Sequence, residues 1–517
     1  MSSVPANHIA FGLAARVARP LHCYDRCDTP CCRGIVILLL GLFCLSVPRL
    51  LQAADPPEAK QPAPRPNIVF VLTDDQAPWA VGAAGHPHAR TPHMDRLFAQ
   101  GATLANAFTT TPVCSPSRAG LMTSRLGSEL GITEWINPRV EPQLGLDPQT
   151  VTWPEVLQAA GYHTALIGKW HLGVPPRFHP TRTGFDEFMG FLSGGTKVKN
   201  PLLEKDGQDQ QFEGVTTDIL TDHAIEFLRR QESEPFALCL HFRAPHAPWL
   251  PVADEDWAPF QDLDPEIPNP DYPKLNVKDL KRRTREYLAS VAGVDRNLGR
   301  LLNTLDELKL TENTVVIYTS DHGYNMGHNG IWHKGNGHWI LTEPPAATKN
   351  VPKGQRPNLY DNSIRVPTAI RWPGTISAGR TIPQTVSNLD WYPTLLAIAG
   401  AKRPEGVLLR GRDFTPLLKG QPIADWDDDF YAEYSTRHQS HTHMRMYRAP
   451  RWKLVRDFLN PERDELYDLQ RDPAETNNLI DSDSPEIQAV IDRLHQRILA
   501  KMREVKDPVL SLVPPPA

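Results

Sequence analysis

The sequence predicts an α/β fold: a mainly parallel sheet with helices on both faces, plus a smaller C-terminal antiparallel α+β unit. Three observations predict it. Apolar, β-branched runs alternate with helical patterns along most of the chain, and each run ends in polar residues. Beyond about Asp425 short aromatic-rich runs separated by turns replace that alternation. The 517 residues, 40% of them hydrophobic, are enough for two or three domains and exclude a disordered chain.

At the N-terminus, residues 1–54 read as a leader. The apolar run Ile35–Val47 follows Arg33 and is bounded by Pro48 and Arg49. It falls short of the ~20 residues of a spanning helix and suits the apolar region of a signal peptide, with cleavage near Ala53 or Ala54. Export, periplasmic or secreted, is the expectation; a later start codon or an uncleaved anchor stays open. The leader holds five of seven cysteines, Cys23, Cys27, Cys31, Cys32 and Cys44. Without it the chain carries 50 basic and 58 acidic residues, a formal charge of −8. That balance argues against a nucleic-acid or anionic-membrane binder. Residues 55–66, with five prolines, read as a stiff linker.

From Asn67 to residue 424 the pattern is that of the larger domain. Strands are predicted at Ile68–Thr73, Thr164–Ile167, Phe236–Phe242 and Thr314–Thr319, and helices around Thr91–Ala99, Glu155–Ala160, Asp218–Gln231, Arg283–Leu308 and Trp391–Ala399. Just past the strands stand Asp74-Asp75, Lys169 with His171, His246, and Asp321-His322. Open α/β sheets bind ligands at that edge. The stretches Ser193–Gly214 and Pro251–Pro273 read as long surface loops walling a cleft. Residues 425–517 read as the second unit, with extended runs at Phe430–Tyr434, Trp452–Arg456 and Glu465–Leu469 and a terminal helix over Pro485–Val505.

Two cysteines follow the leader. Cys239, inside FALCLHF, reads as a buried inert thiol. Cys114 opens Cys-Ser-Pro-Ser-Arg; with Ser115 as the cap and Pro116 at the first helical position it stands at a helix N-terminus, where anions and thiolates are stabilised. Arg118 lies one turn on.

Here the sequence resembles the sulfatase family. The Cys114-Ser-Pro-Ser-Arg118 motif is similar to the signature whose cysteine is oxidised to formylglycine by a maturation enzyme. The resemblance extends through NIVFVLTDDQ at 67–76, GYHTALIGKWHLG at 161–173, PHAPW at 245–249, SDHG at 320–323, His333-Lys334-Gly335, YDNSIRVPTAIRWPG at 360–374 and ELYDLQRDPAETNNL at 465–479. It implies an alkaline-phosphatase-like fold and hydrolysis of sulfate monoesters on a sulfated carbohydrate, the partner being a sulfated small molecule or glycan. It implies one divalent cation, Ca²⁺, held by Asp74, Asp75, Asp321, His322 and the modified Cys114; oxygen donors suit Ca²⁺, and a histidine is the less natural member. A hydroxyl of the hydrated formylglycine would attack sulfur, with Arg118, Lys169 and Lys334 clamping the ester oxygens. His246, alone or with Lys334, would protonate the leaving oxygen and His171 would take the second proton to expel sulfate. Gln76 and Trp170 read as supporting residues. Phosphonate or phosphodiester hydrolysis by the same nucleophile is the alternative, followed by a non-catalytic glycan-binding protein.

Two further features stand out. His438, His441 and His443 read as an extended loop reaching the cleft, with Zn²⁺ binding as the lesser option. Gly335–Leu359, containing His338, Trp339 and Lys349, departs from the common spacing and is expected to shape the substrate pocket. Oligomeric state is not legible.

Overall fold

The computed structural model describes residues 65–513. The leader at 1–54 with its cysteines, and the linker up to residue 64, lie outside the described residues. Among the described residues no helix is long and apolar enough to cross a membrane.

The strands, in chain order, are β1 Asn67–Thr73, β2 Ala102–Phe108, β3 His163–Lys169, β4 Glu187–Phe191, β5 Leu202–Lys205, β6 Gln208–Gln211, β7 Phe236–His241, β8 Thr314–Ser320, β9 Asn325–Met326, β10 Ile331–His333, β11 His338–Trp339, β12 Ala369–Arg371, β13 Arg380–Ser387, β14 Phe430–Thr436, β15 Thr442–Arg448, β16 Trp452–Asp457 and β17 Glu465–Asp468. Ten form one sheet in the order β13-β2-β12-β8-β1-β7-β3-β4-β5-β6. Its centre, β8-β1-β7-β3-β4, is wholly parallel. Strand β12 runs antiparallel to both neighbours, and a β5–β6 hairpin closes one edge.

Strand β1 shows why this sheet is buried on both sides. Ile68, Phe70 and Leu72 enter one core while Val69 and Val71 enter the other. The first core is covered by the helices Trp153–Ala159 and Trp391–Ala399, the second by Thr216–Arg229 and the long Val277–Glu307, which lays Leu280, Tyr287, Val291, Val294, Leu298 and Leu305 against the sheet.

Strands β14 to β17 make a separate antiparallel sheet. Its Phe430, Ala432 and Tyr434 pack against Phe108, Val113, Leu359 and Ile364, while Tyr431, Tyr447, Leu454 and Leu466 receive the helix Pro485–Glu504.

Several expectations are corrected. Ser193–Gly214 is not loop throughout, because its polar residues 202–211 pair as the β5–β6 hairpin. Pro251–Pro273 carries a short helix, Asp254–Trp257, and buries Phe260 against Leu288 and Ala292. In the histidine-rich segment His438 and His441 lie in the loop joining β14 to β15, and His443 belongs to β15. His443 Nδ1 lies 3.0 Å from Ser435 Oγ, and His438 packs its ring 4.8 Å from that of Trp135. The helix after Val113 starts at Cys114 itself, so Ser115 does not cap it; the Ser115 hydroxyl accepts from the Ile136 N–H at 2.9 Å.

Candidate active site

The central strands bring the site residues together by ending side by side. Asp74 and Asp75 follow β1, Asp321 and His322 follow β8, Lys169 ends β3 with His171 two residues on, and His246 follows β7. Asp321 N–H bonds to the Thr73 carbonyl at 3.0 Å, which locks the two acidic strand ends in register. Asp75 adopts φ 73°, the left-handed region that Asp tolerates better than most residues. Tyr287, from the long helix, donates to its carbonyl at 2.8 Å.

The helix Cys114–Thr123 is buried along its whole length and delivers Cys114 and Arg118 to this edge. The Cys114 thiol donates to Asp74 Oδ1 at 3.3 Å and lies 3.4 Å from His322 Nε2; Lys334 Nζ donates to Sγ at 3.1 Å. Lys169 Nζ donates to Asp74 Oδ2 and Lys334 Nζ to Asp75 Oδ1, each at 2.6 Å. Arg118 gives Nε to Asp321 Oδ2 and Nη1 to the Lys169 carbonyl, both at 2.9 Å. Its Nη2 is buried and unpartnered, as is Asp75 Oδ2. Buried polar atoms of native proteins are normally satisfied, so these two atoms on residues of this edge leave it able to take up a ligand.

The electrostatics follow from close packing of unlike charges. Burial tends to raise Asp74, but Lys169, with help from His246, Lys334 and Arg118, holds it well below the ordinary carboxylate range. Burial wins at Asp75, which is pushed up to about 7 against the pull of Lys334. Burial alone would lower His322, yet Asp321 and Cys114 outweigh it and lift the imidazole to about 9. Burial together with Lys169 holds His171 well below its usual value, and burial together with Lys334 does the same to His246.

These groups suit a hard divalent cation. Asp74, Cys114, Asp321 and His322 each place one donor atom within 4.8 Å of the others, and so do Asp74, Asp75, Cys114 and His246. His322 gives its Nδ1 hydrogen to the Gly323 carbonyl at 3.0 Å, which turns Nε2 toward the carboxylates. Arg118, Lys169 and Lys334 already line this edge, so a divalent ion would add to its positive charge and suit an anionic substrate.

Two histidines are prepared differently. His171 Nε2 donates to the Ile136 carbonyl at 3.1 Å, leaving Nδ1 buried without a partner and free to accept a proton. His246 Nδ1 donates to the Ala247 carbonyl at 2.6 Å, leaving Nε2 3.9 Å from Asp75 Oδ2.

Some contributors escape sequence reasoning. His241 donates from Nδ1 to the Lys169 carbonyl at 3.3 Å beside Arg118, but in the sequence it is the end of an apolar run. Ser117 donates to the Asp321 carbonyl, and Asn358 holds the Lys334 and Gly335 carbonyls at 3.1 and 3.3 Å. The position of His241 at the carboxyl end of β7 was the one available signal. Gln76 and Trp170 point to framework partners: Tyr318 donates to Gln76 Oε1 at 2.5 Å, and Trp170 donates to the Phe178 carbonyl at 2.8 Å.

Comparison with known proteins bears on this arrangement. The model of the family described as Sulfatase matches residues 66–401, and that described as N-sulphoglucosamine sulphohydrolase, C-terminal, matches residues 355–504. An N-acetylglucosamine-6-O-sulfatase of Bacteroides thetaiotaomicron is 29% identical, covering 86% of each chain. A steryl-sulfatase of Mus musculus is 30% identical over 74% of this chain and 70% of its own. A protein solved in complex with its substrate D-glucosamine-2-N,6-O-disulfate superposes with a TM-score of 0.73 at 27% identity, covering 86% of this chain and 99% of that one. The family match over most of the described residues, joined to these relatives, establishes that the chain belongs to the sulfatase family and is a sulfuric ester hydrolase.

Proposed function

We propose that this enzyme releases sulfate from a sulfated carbohydrate, with Cys114 as the residue converted to formylglycine and Asp74, Asp75, Asp321 and His322 as the holders of a Ca²⁺ ion. The observation that carries the reading is the placement of Cys114 Sγ: it lies within 3.4 Å of Asp74, His322 and Lys334, at the start of a buried helix that also carries Arg118. The carbohydrate follows from the relatives, among them the N-acetylglucosamine-6-O-sulfatase and an ulvan-active sulfatase of Formosa agariphila that is 28% identical over 92% of this chain.

Formylglycine supplies, once hydrated, a carbon bearing two hydroxyls, so that one can bond to sulfur and the other can later release it. Calcium supplies Lewis acidity toward oxygen. The chain's own groups do the rest. Arg118, Lys169 and Lys334 neutralise charge on the sulfate oxygens without rearranging, because each is already pinned by a carboxylate. His246 Nε2 hands a proton to the leaving sugar oxygen. Burial and Lys334 keep that ring neutral beforehand, and the arriving sulfate charge opposes both influences, so protonation accompanies substrate binding. His171 Nδ1 then takes the proton whose removal frees sulfate, its orientation set by the Ile136 carbonyl. The leader pattern supports export, with the maturation enzyme acting on Cys114 before or during it.

The test is mass spectrometry of the Cys114 peptide from active protein, paired with sulfate release from N-acetylglucosamine 6-sulfate. Formylglycine at residue 114 with release is the expected result; an intact thiol in active protein refutes the nucleophile, and formylglycine with no release from any sulfated sugar refutes the substrate class.

A further inference from the structure

Arg243 lies two residues past β7 and is 5% exposed. Among the described residues no carboxylate comes within 4 Å of its guanidinium. All of its hydrogen bonds end on carbonyls instead. Nε donates to Thr196 O at 2.9 Å, Nη1 to His246 O at 2.7 Å and Pro248 O at 3.0 Å, and Nη2 to Ala247 O at 2.7 Å. A buried charge without a paired counter-ion is costly, and four carbonyls gathered around one planar fork are what offsets that cost.

The carbonyls belong to the segment that presents His246. Residues 245–249 have no sheet partner, so their conformation must be set by side chains. The Ala247 carbonyl accepts both Arg243 Nη2 and His246 Nδ1. Whatever fixes that oxygen therefore fixes the imidazole and with it the direction of Nε2. The same guanidinium reaches Thr196 in the facing wall, where Gly194 lies so close to His171 that a Cβ there would be 2.6 Å from Nε2. The Asp74 N–H bonds to the Ala244 carbonyl at 3.3 Å, so the held loop is registered against the Asp74 end of the site.

We infer that Arg243 is the positioning residue of the leaving-group acid: it clamps the 246–248 carbonyls to the 196 wall and so aims His246 Nε2 at the scissile ester oxygen. The inference rests on the proposed role of His246. Arg243 itself is not a catalytic residue, since its donors are committed to the backbone. Lysine keeps the charge but cannot span Thr196 and three carbonyls on the opposite side.

Leaving-group dependence separates aiming from general support. A 4-nitrophenyl leaving group needs little protonation, whereas a 4-methoxyphenyl group needs more, so loss of the acid steepens the fall of kcat along an aryl sulfate series. The full-length, formylglycine-bearing enzyme would be compared with Arg243→Lys, Arg243→Met, His246→Ala and the Arg243→Lys/His246→Ala double variant, with folding followed by thermal melting. Expected for Arg243→Lys is a loss of about 10–100-fold on 4-methoxyphenyl sulfate against about threefold or less on 4-nitrophenyl sulfate, with the double variant no slower than His246→Ala alone. Equal losses on every ester, additive losses in the double variant, or failure of both Arg243 variants to fold would overturn the inference. The two readings come apart in His246→Ala: if that variant itself loses equally on all esters, the acid assignment fails; if it shows the split and Arg243→Lys does not, Arg243 alone is refuted.

Discussion

Replacing Arg118 by lysine keeps the charge of the site but removes its fork. The native guanidinium serves Asp321 through Nε and the Lys169 carbonyl through Nη1, each at 2.9 Å, and holds Nη2 open. One ammonium cannot meet all three demands. Losing the charge-assisted bond to Asp321 costs about 1.5–3 kcal/mol, and losing the Nη1 bond to the Lys169 carbonyl, which keeps its His241 donor, adds about 0.5–1.5 kcal/mol, so unfolding free energy should fall by about 2–4.5 kcal/mol. Removing the open donor should lower turnover by about 10²–10³, equivalent to about 2.7–4 kcal/mol of transition-state stabilisation. Equilibrium urea unfolding and kcat on 4-nitrophenyl sulfate measure the two effects separately. Arg445→Lys is the comparison: Arg445 is equally buried and forks onto Asp507 at 2.5 and 2.9 Å in the C-terminal sheet, so stability should fall while turnover holds. Near-normal turnover in an Arg118→Lys protein as destabilised as calculated would refute the assignment of Nη2 to the sulfate oxygens.

Three other predictions concern different parts of the molecule. Cys114→Ala should abolish turnover with the fold kept, whereas Cys239→Ala, which removes a thiol that burial holds protonated in β7, should leave turnover near normal and lower stability by about 1 kcal/mol; a dead Cys239→Ala enzyme would show the wrong cysteine had been chosen. Gly194→Ala places a methyl 2.6 Å from His171 Nε2 and should depress kcat much more than KM, as steady-state kinetics on any turned-over sulfate ester will show. Asp295 accepts the His93 and Met94 N–H groups at 3.0 and 2.7 Å, capping the helix Pro92–Gln100 from the long helix, and burial raises its carboxyl to about 7. Because its folded pKa lies above the unfolded one, the native state holds the proton more tightly between about pH 4 and 7, and stability relative to Asp295→Asn should decline as pH rises through that window; a difference that grows with pH would contradict the burial of this group.

Much of the site was legible because strand ends carry their chemistry next to an apolar run. Asp74-Asp75 and Asp321-His322 stand where two such runs stop, and both belong to parallel neighbours whose carboxyl ends must lie together. Arg243 and His241 were hidden for the opposite reason: they sit inside or beside FALCLHF, where residue type reads as core filler. Strands β2, β5, β6 and β15 were missed because ATLANAF, LLEK, QDQQ and THMRMYR lack a clean apolar alternation; they become strands through backbone pairing with neighbours far along the chain or in a hairpin. The Gly335–Leu359 insert also acquired a role only in three dimensions: Asn350 accepts the His441 N–H at 2.8 Å and Asn358 secures the Lys334 loop, so the segment ties the C-terminal sheet to a cleft lysine.

By itself, then, the sequence determined the layered α/β architecture, the Cys114–Arg118 motif, and which carboxylates, lysines and histidines could meet at one edge. Local periodicity and strand-end position are properties of contiguous residues, and a chain exhibits them before it folds. The tertiary structure decided the state of each group: Asp75 raised and Asp74 lowered one residue apart, His171 open at Nδ1 and His246 at Nε2. Those differences arise from burial and from partners such as Lys169, Lys334, Ile136 and Ala247, mostly far off in sequence, and charge interactions at 3 Å in a dry interior depend on distances that no one-dimensional pattern encodes.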